Sequence, residues 1–183
     1  MSGSSVDPIR LQRDLAIALA AAETEQTALD ALLDAAVQLE GIDGCGGYLR
    51  PPCRGPLLLV AHRGVSERFA GAVAGWSLDG PGMSELARGG VAQLQHDGEP
   101  GQLGEWLEPS RDEGLRSSFA VPIVADDELL AVGVFASRDR EPVGEPVRET
   151  LETLVRQAGL VLRRLKAEAQ RRELEQLLGY ALR

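Results

Sequence analysis

The chain has 183 residues, 44% of them apolar, which is enough to bury the core of one domain with an extension. Its net charge of -9 leaves no basic face for a phosphate backbone or an anionic membrane, so nucleic-acid and membrane partners are excluded as expectations. The apolar runs at residues 56–61 and 129–136 fall far short of the roughly 20 residues of a membrane-spanning helix. With two cysteines eight positions apart and two histidines, neither a disulfide scaffold nor a structural metal site is expected, and a reduced, cytoplasmic setting is the simplest reading.

The small, polar start, residues 1–8, reads as a disordered leader, followed by a domain over residues 9–162 and an exit helix over 163–183. Over residues 9–22, Leu11, Leu15, Ala18, Leu19 and Ala22 recur at intervals of three and four and predict an amphipathic helix. The polar cluster 23–26 interrupts it. A second helix then runs from Ala28 toward Gly41, a C-terminal cap.

Beyond Gly41 the pattern changes to short apolar runs bounded by glycine and proline, the signature of strands. Residues 45–50 and 57–62 form one expected hairpin with a proline-containing loop. Residues 116–124 and 128–137 form another, joined by Asp126-Asp127, a tight-turn pair. Apolar residues on both faces of the second hairpin, with Phe119, Val121 and Ile123 alternating against Ala120 and Val124, require a sheet covered on each side. The intervening segment 64–115 is glycine-rich and weakly periodic. Short helices are expected there at 66–72, 83–88 and 101–106, with a short strand at 91–95. An irregular connection of this length in a compact domain is usually functional or mobile, so it should wall any pocket.

From residue 147 to about 178 a helical pattern returns. Leu151, Leu154, Ala158, Val161, Leu165 and Ala169 keep a spacing of three and four, and the apolar positions then resume out of phase at Leu174, Leu177, Leu178 and Ala181. An apolar stripe that outruns its own core calls for a partner helix, and a parallel homodimer is the natural one.

The sequence GLRSSFAVPI, residues 114–123, resembles a strand motif of the GAF domain family, and Val132-Gly-Val-Phe135 resembles the strand that follows it there. Residues 43–49, DGCGGYL, are similar to the family's first strand. The resemblance covers roughly residues 15–166 and implies an α+β fold. In it, an antiparallel sheet of about five to six strands carries the N- and C-terminal helices on one face and a ligand pocket on the other. It also implies a sensory module that binds a small molecule and relays the signal through its C-terminal helix to a kinase, a cyclase or a transcription-activating domain. Asp126-Asp127 departs from the glycine often found at that turn.

Family ligands leave signatures that can be sought here. The cyclic-nucleotide signature begins with Asn and Lys, and this chain contains no Asn. Many bilin-binding members place cysteine directly before histidine, whereas Ala61 and Gln95 precede His62 and His96. No cofactor is identified: bilin is not expected on these grounds, nor haem, since nothing in the sequence pairs His62 with a second ligand. The related free methionine sulfoxide reductases use cysteines around the crossover, and residues 64–115 contain none. Two alternatives to sensing stay open: a ligand-free dimerisation module, and a reductase using Cys45 and Cys53.

Five residues are the candidate ligand contacts. Arg116 and Ser118, two apart at the start of a strand, offer a cation and a hydroxyl for an anionic ligand, or a hydrogen bond that supports the fold. Trp76, Met83 and Trp106 bring large side chains to the crossover of a chain with 4% aromatics, and either floor an apolar site or pack a loop. Cys45 reads as a buried inert thiol and His62 as a histidine closing its strand.

Overall fold

The computed structural model describes residues 6–52, 55–80, 82–95, 104–139, 141 and 143–181. Cys53, His96, residues 101–103 of the third short crossover helix and most of the expected leader lie outside the described residues.

Two capped helices open the fold. Helix α1 (Pro8–Ala20) starts with Asp7 accepting a hydrogen bond from Ile9 N–H at 3.0 Å, and Pro8 stands where its missing N–H costs nothing. Helix α2 (Glu25–Ala36) begins with a reciprocal cap. Thr24 Oγ1 accepts from Thr27 N–H, and Thr27 Oγ1 accepts from Thr24 N–H, each at 3.1 Å. The polar interruption seen in the sequence is therefore the junction between two helices.

Strands β1 (Gly44–Leu49) and β2 (Leu57–Arg63) form the first antiparallel hairpin. The crossover then contributes α3 (Glu67–Ala72), the two-residue strand β3 (Gly75–Trp76), α4 (Met83–Ala87) and β4 (Ala92–Gln95). A 3-10 turn (Gly104–Trp106) leads into α5 (Leu107–Asp112), which the sequence pattern does not announce. Strands β5 (Ser117–Ala125) and β6 (Glu128–Ser137) form the second hairpin, and α6 (Glu145–Ala181) ends the described chain. The six strands lie in one antiparallel sheet of order β3-β2-β1-β6-β5-β4. The two hairpins thus join through β1 and β6, which pair over Gly44–Leu49.

Asp126 and Asp127 both take positive φ, 51° and 60°, and connect the paired residues Ala125 and Glu128. This is the mirror-image turn whose twist suits a two-residue hairpin, made here without glycine. Asp126 also meets Arg163 of α6 at 3.2 Å.

Helices α1, α2 and α6 cover one face of the sheet. Leu29, Leu32 and Leu33 of α2 and Leu151, Leu154 and Ala158 of α6 are fully buried there, against Phe119, Val121, Ile123 and Phe135. Gly159 allows α6 to close on β5, since a Cβ there would lie 3.2 Å from Ile123 Cγ2. The end of β2 is tied to α2 by Arg63, whose guanidinium meets Asp34 at 2.7 Å and Asp30 at 2.9 Å. The crossover covers the opposite face, where Tyr48, Leu57, Trp76, Met83, Leu86, Trp106 and Val132 form a second buried cluster.

Candidate functional site

The sheet's alternation separates the two faces residue by residue. In β1, Cys45, Gly47 and Leu49 turn toward the helices, while Gly44, Gly46 and Tyr48 turn toward the crossover. In β6, Phe135 faces the helices and Val134 and Ala136 face the crossover. A bulge between Gly47 and Tyr48 shifts the register with β2, so that Leu59 and His62, three apart, both reach the crossover face. Bulges commonly re-aim side chains in this way.

Between the sheet and the crossover lies a cavity of about 50 Å³. Its floor is Gly44, Gly46, Leu59, Val134, Ala136 and Ser118. Its roof is Phe69 and Val73 at α3, Trp106 and Ser110 at α5, with Val65 and Leu115 at one end. The two glycines make the floor bare. A Cβ on Gly46 would stand 2.9 Å from Leu59 Cδ1, and one on Gly44 would stand 2.7 Å from Val65 Cγ1.

One wall is the Tyr48–Trp106 pair, with Trp76 packed behind it. Tyr48 and Trp106 stack with centroids 5.9 Å apart, Tyr48 meets Trp76 edge-on at 5.6 Å, and the two indoles lie 4.8 Å apart. Tyr48 Oη donates to Val73 C=O at 2.9 Å, so the ring, not the hydroxyl, faces the space. Burial pushes the Tyr48 phenol well above its ordinary range.

The roof is fastened to the rest of the domain by polar contacts. Ser66 caps α3 by accepting from Phe69 N–H at 3.2 Å, and Glu113, just after α5, accepts from Ser66 N–H at 2.8 Å and from Ser66 Oγ–H at 2.6 Å. Arg138 lies 3.8 Å from the same carboxylate and donates to Gly64 C=O at 3.3 Å. Arg68 of α3 pairs with Asp112 of α5 at 3.3 Å. The Ser66 hydroxyl foremost, then the Ser66 N–H and Arg138, hold the Glu113 carboxyl below its ordinary value against the opposing effect of burial.

The candidate contacts named from sequence separate into three groups. Trp106 and Ser118 line the cavity. Trp76, 1% exposed, and Met83 are buried behind it in the crossover cluster, so they support the wall without lining the space. Trp76 Nε1 has no hydrogen-bond partner among the described residues and packs against Gly80, where a Cβ would lie 3.1 Å away. Arg116 is exposed and is not among the lining residues; its N–H donates to Ser137 C=O at 2.8 Å.

Sequence reasoning missed the floor glycines, Ser110 and the inward turn of His62. Alternation along DGCGGYL places Gly44 and Gly46 on the Tyr48 side and was the available signal for the floor. The bulge that turns His62 inward leaves no mark in the sequence. Cys45 faces α2, where its Sγ donates to Leu33 C=O at 3.8 Å, and burial pushes its thiol up to about 12. His62 Nε2 lies 3.5 Å from Glu67 Oε1.

Among solved structures, the chain is similar to the GAF domain of a phosphoenolpyruvate-protein phosphotransferase from Coxiella burnetii. That match has 16% identity and a TM-score of 0.73, and covers 92% of this chain and 99% of the other. A domain of a putative two-component sensor histidine kinase protein from Sinorhizobium meliloti 1021 matches at 24% identity and a TM-score of 0.63, over 78% of this chain and 92% of that one. The free methionine-R-sulfoxide reductase of Neisseria meningitidis, solved with its substrate, matches at 18% identity and a TM-score of 0.70, over 93% and 97% of the two chains. At these identities the likeness concerns the fold. No match is found among curated proteins. The sequence profile of the GAF domain covers residues 22–163, most of the chain, and with the sheet order and the helix arrangement it places the protein in the GAF domain family.

Proposed function

We propose that this GAF domain is a sensory, dimerising module: a small molecule occupies the cavity between sheet and crossover, and its presence is relayed through α6 to an attached kinase, cyclase or transcription-activating domain. The observation that carries the reading is the way α6 uses two opposite sides. Leu151, Leu154, Ala158, Leu162 and Leu165 are buried against the domain. At about 100° per residue, Leu174 stands nine positions and roughly 180° around from Leu165. The phase break in the sequence is thus a change of face. Leu160, Ala167 and Leu174 recur every seven residues on the outer side, all exposed, and Leu160 and Leu174 are 70% and 61% exposed.

An outer apolar stripe at that spacing suits a second copy of the same helix. Leu177 and Leu178, 59% and 62% exposed, extend it. The pairs Arg164–Glu168 at 3.7 Å and Arg171–Glu175 at 3.5 Å stiffen the helix along its charged flanks. Because α6 also packs on β5, β6 and α2, a change in the domain's packing has a direct route into it.

A regulatory role fits Cys45 better than reductase chemistry does. Its thiol is buried, faces away from the cavity and is held protonated. Sedimentation velocity on the whole chain tests the assembly. A dimer is expected, converted to monomer by Leu174→Glu with Leu178→Glu, and a parent chain that stays monomeric at high concentration rejects the relay.

A further inference from the structure

The cavity has a definite chemistry. Among its described lining residues there is no Lys, Arg, Asp or Glu. The nearby cations are committed elsewhere: Arg63 to Asp30 and Asp34, and Arg138 to Gly64 C=O and Glu113. His62, the one lining group that can gain positive charge, already faces Glu67 at 3.5 Å. An ion entering here would lose its hydration without gaining a partner, which lowers affinity by orders of magnitude.

The roof nevertheless carries a polar side chain. Ser110 is 3% exposed and lines the cavity from α5. A hydroxyl at a cavity wall screened from bulk water gains from a ligand that brings a donor or an acceptor to it. Size sets the remaining limit. At about 10–15 Å³ for each water-sized centre, a cavity of about 50 Å³ holds roughly four waters, or a ligand of about four to six non-hydrogen atoms.

Resting on the sensing reading above, we infer that the cavity is selective for a small, uncharged, mainly apolar molecule carrying one hydrogen-bonding group, such as a short-chain alcohol, ketone or amide, with that group bonded to the Ser110 hydroxyl. Its apolar part lies over Gly44 and Gly46 against the Trp106 ring. Nucleotides, carboxylates and tetrapyrroles are excluded by charge or by size. A ligand this small binds with a Kd of about micromolar at the tightest.

The test is an amide NMR titration of the whole chain with butyramide and with butyrate, which match in size and differ in charge, and with octanamide, about twice as long. Butyramide is expected to shift the Gly44, Gly46, Val134 and Ala136 resonances saturably, while butyrate and octanamide leave them unmoved over the same millimolar range. Ser110→Ala should weaken butyramide by about three- to tenfold. Butyrate or octanamide binding as tightly as butyramide overturns the inference and leaves the sensing reading intact. Failure of butyramide to move these resonances in the parent chain overturns it as well, whatever the variant does. Saturable butyramide binding that leaves α6 resonances and sedimentation unchanged supports the ligand class and counts against the relay.

Discussion

The two faces of this sheet are built from the same strands and packed in opposite ways. On the helix side, Gly47 is filled over by Leu29, whose Cδ1 and Cβ would lie 3.1 and 3.2 Å from an added Cβ. On the crossover side, the neighbouring Gly46 lines the cavity, and the nearest atom to an added Cβ would be the terminal Cδ1 of Leu59, 2.9 Å away, with Tyr48 Cε2 next at 3.7 Å. What differs is the neighbour: a Cβ fixed to a helix on one face, and the movable end of a side chain beside the cavity on the other. Long helices with regular leucines close one face completely, while short elements carrying bulky aromatics leave a gap on the other.

The largest expected effect probes the closed face. Leu154→Ala, at a fully buried position on the sheet-facing side of α6, should cost about 2–5 kcal/mol, whereas Leu59→Ala, which widens an existing cavity from a half-buried position, should cost less than half as much. Equal losses in urea denaturation would break the comparison. Gly47→Ala should cost about 1–3 kcal/mol, because the Leu29 Cβ is fixed to a helix. Gly46→Ala should change stability by less than about 1 kcal/mol, since the flexible Leu59 end yields and the strand loses a glycine.

The roof gives a pH-dependent test. The Glu113 carboxyl is held below its ordinary value of 4.5, so its stabilisation is complete above that pH and is lost as pH falls through the lowered folded value. Glu113→Gln should therefore destabilise by about 1 kcal/mol at neutral pH, with the difference from the parent chain shrinking below pH 4.5 in thermal melts. A constant difference across that range would remove the ionised Ser66–Glu113 contact from the account. The smallest effect is at the second hairpin, where Asp127→Gly should raise stability by about 0.5–1 kcal/mol by relieving positive φ while keeping the Asp126–Arg163 pair.

Much of the fold could be read along the chain because local chemistry dictates it. The leucine stripe of residues 9–22 gave α1, the alternation of Phe119, Val121 and Ile123 gave a two-sided strand, and Asp126-Asp127 marked the tight turn. What escaped were elements fixed by distant partners. Strand β3 exists because Leu57 and Leu58 pair with Trp76 and Gly75, and α5 because its helix roofs the cavity, with Leu107 and Ser110 buried beneath it. The expected site was legible as a region, and Trp106 and Ser118 fall in it. Arg116, so close to Ser118 in sequence, stands outside because exposure and burial diverge at the start of β5.

By itself the sequence determined the three long helices, both hairpins, the acidic surface and the family, since periodicity, capping, turn chemistry and motif are properties of neighbouring residues. Only the tertiary structure decided which glycines floor a cavity, that a bulge turns His62 inward, and that the out-of-phase leucines of α6 face away from their own domain. Those depend on what lies across the sheet or around the helix, which local spacing cannot encode.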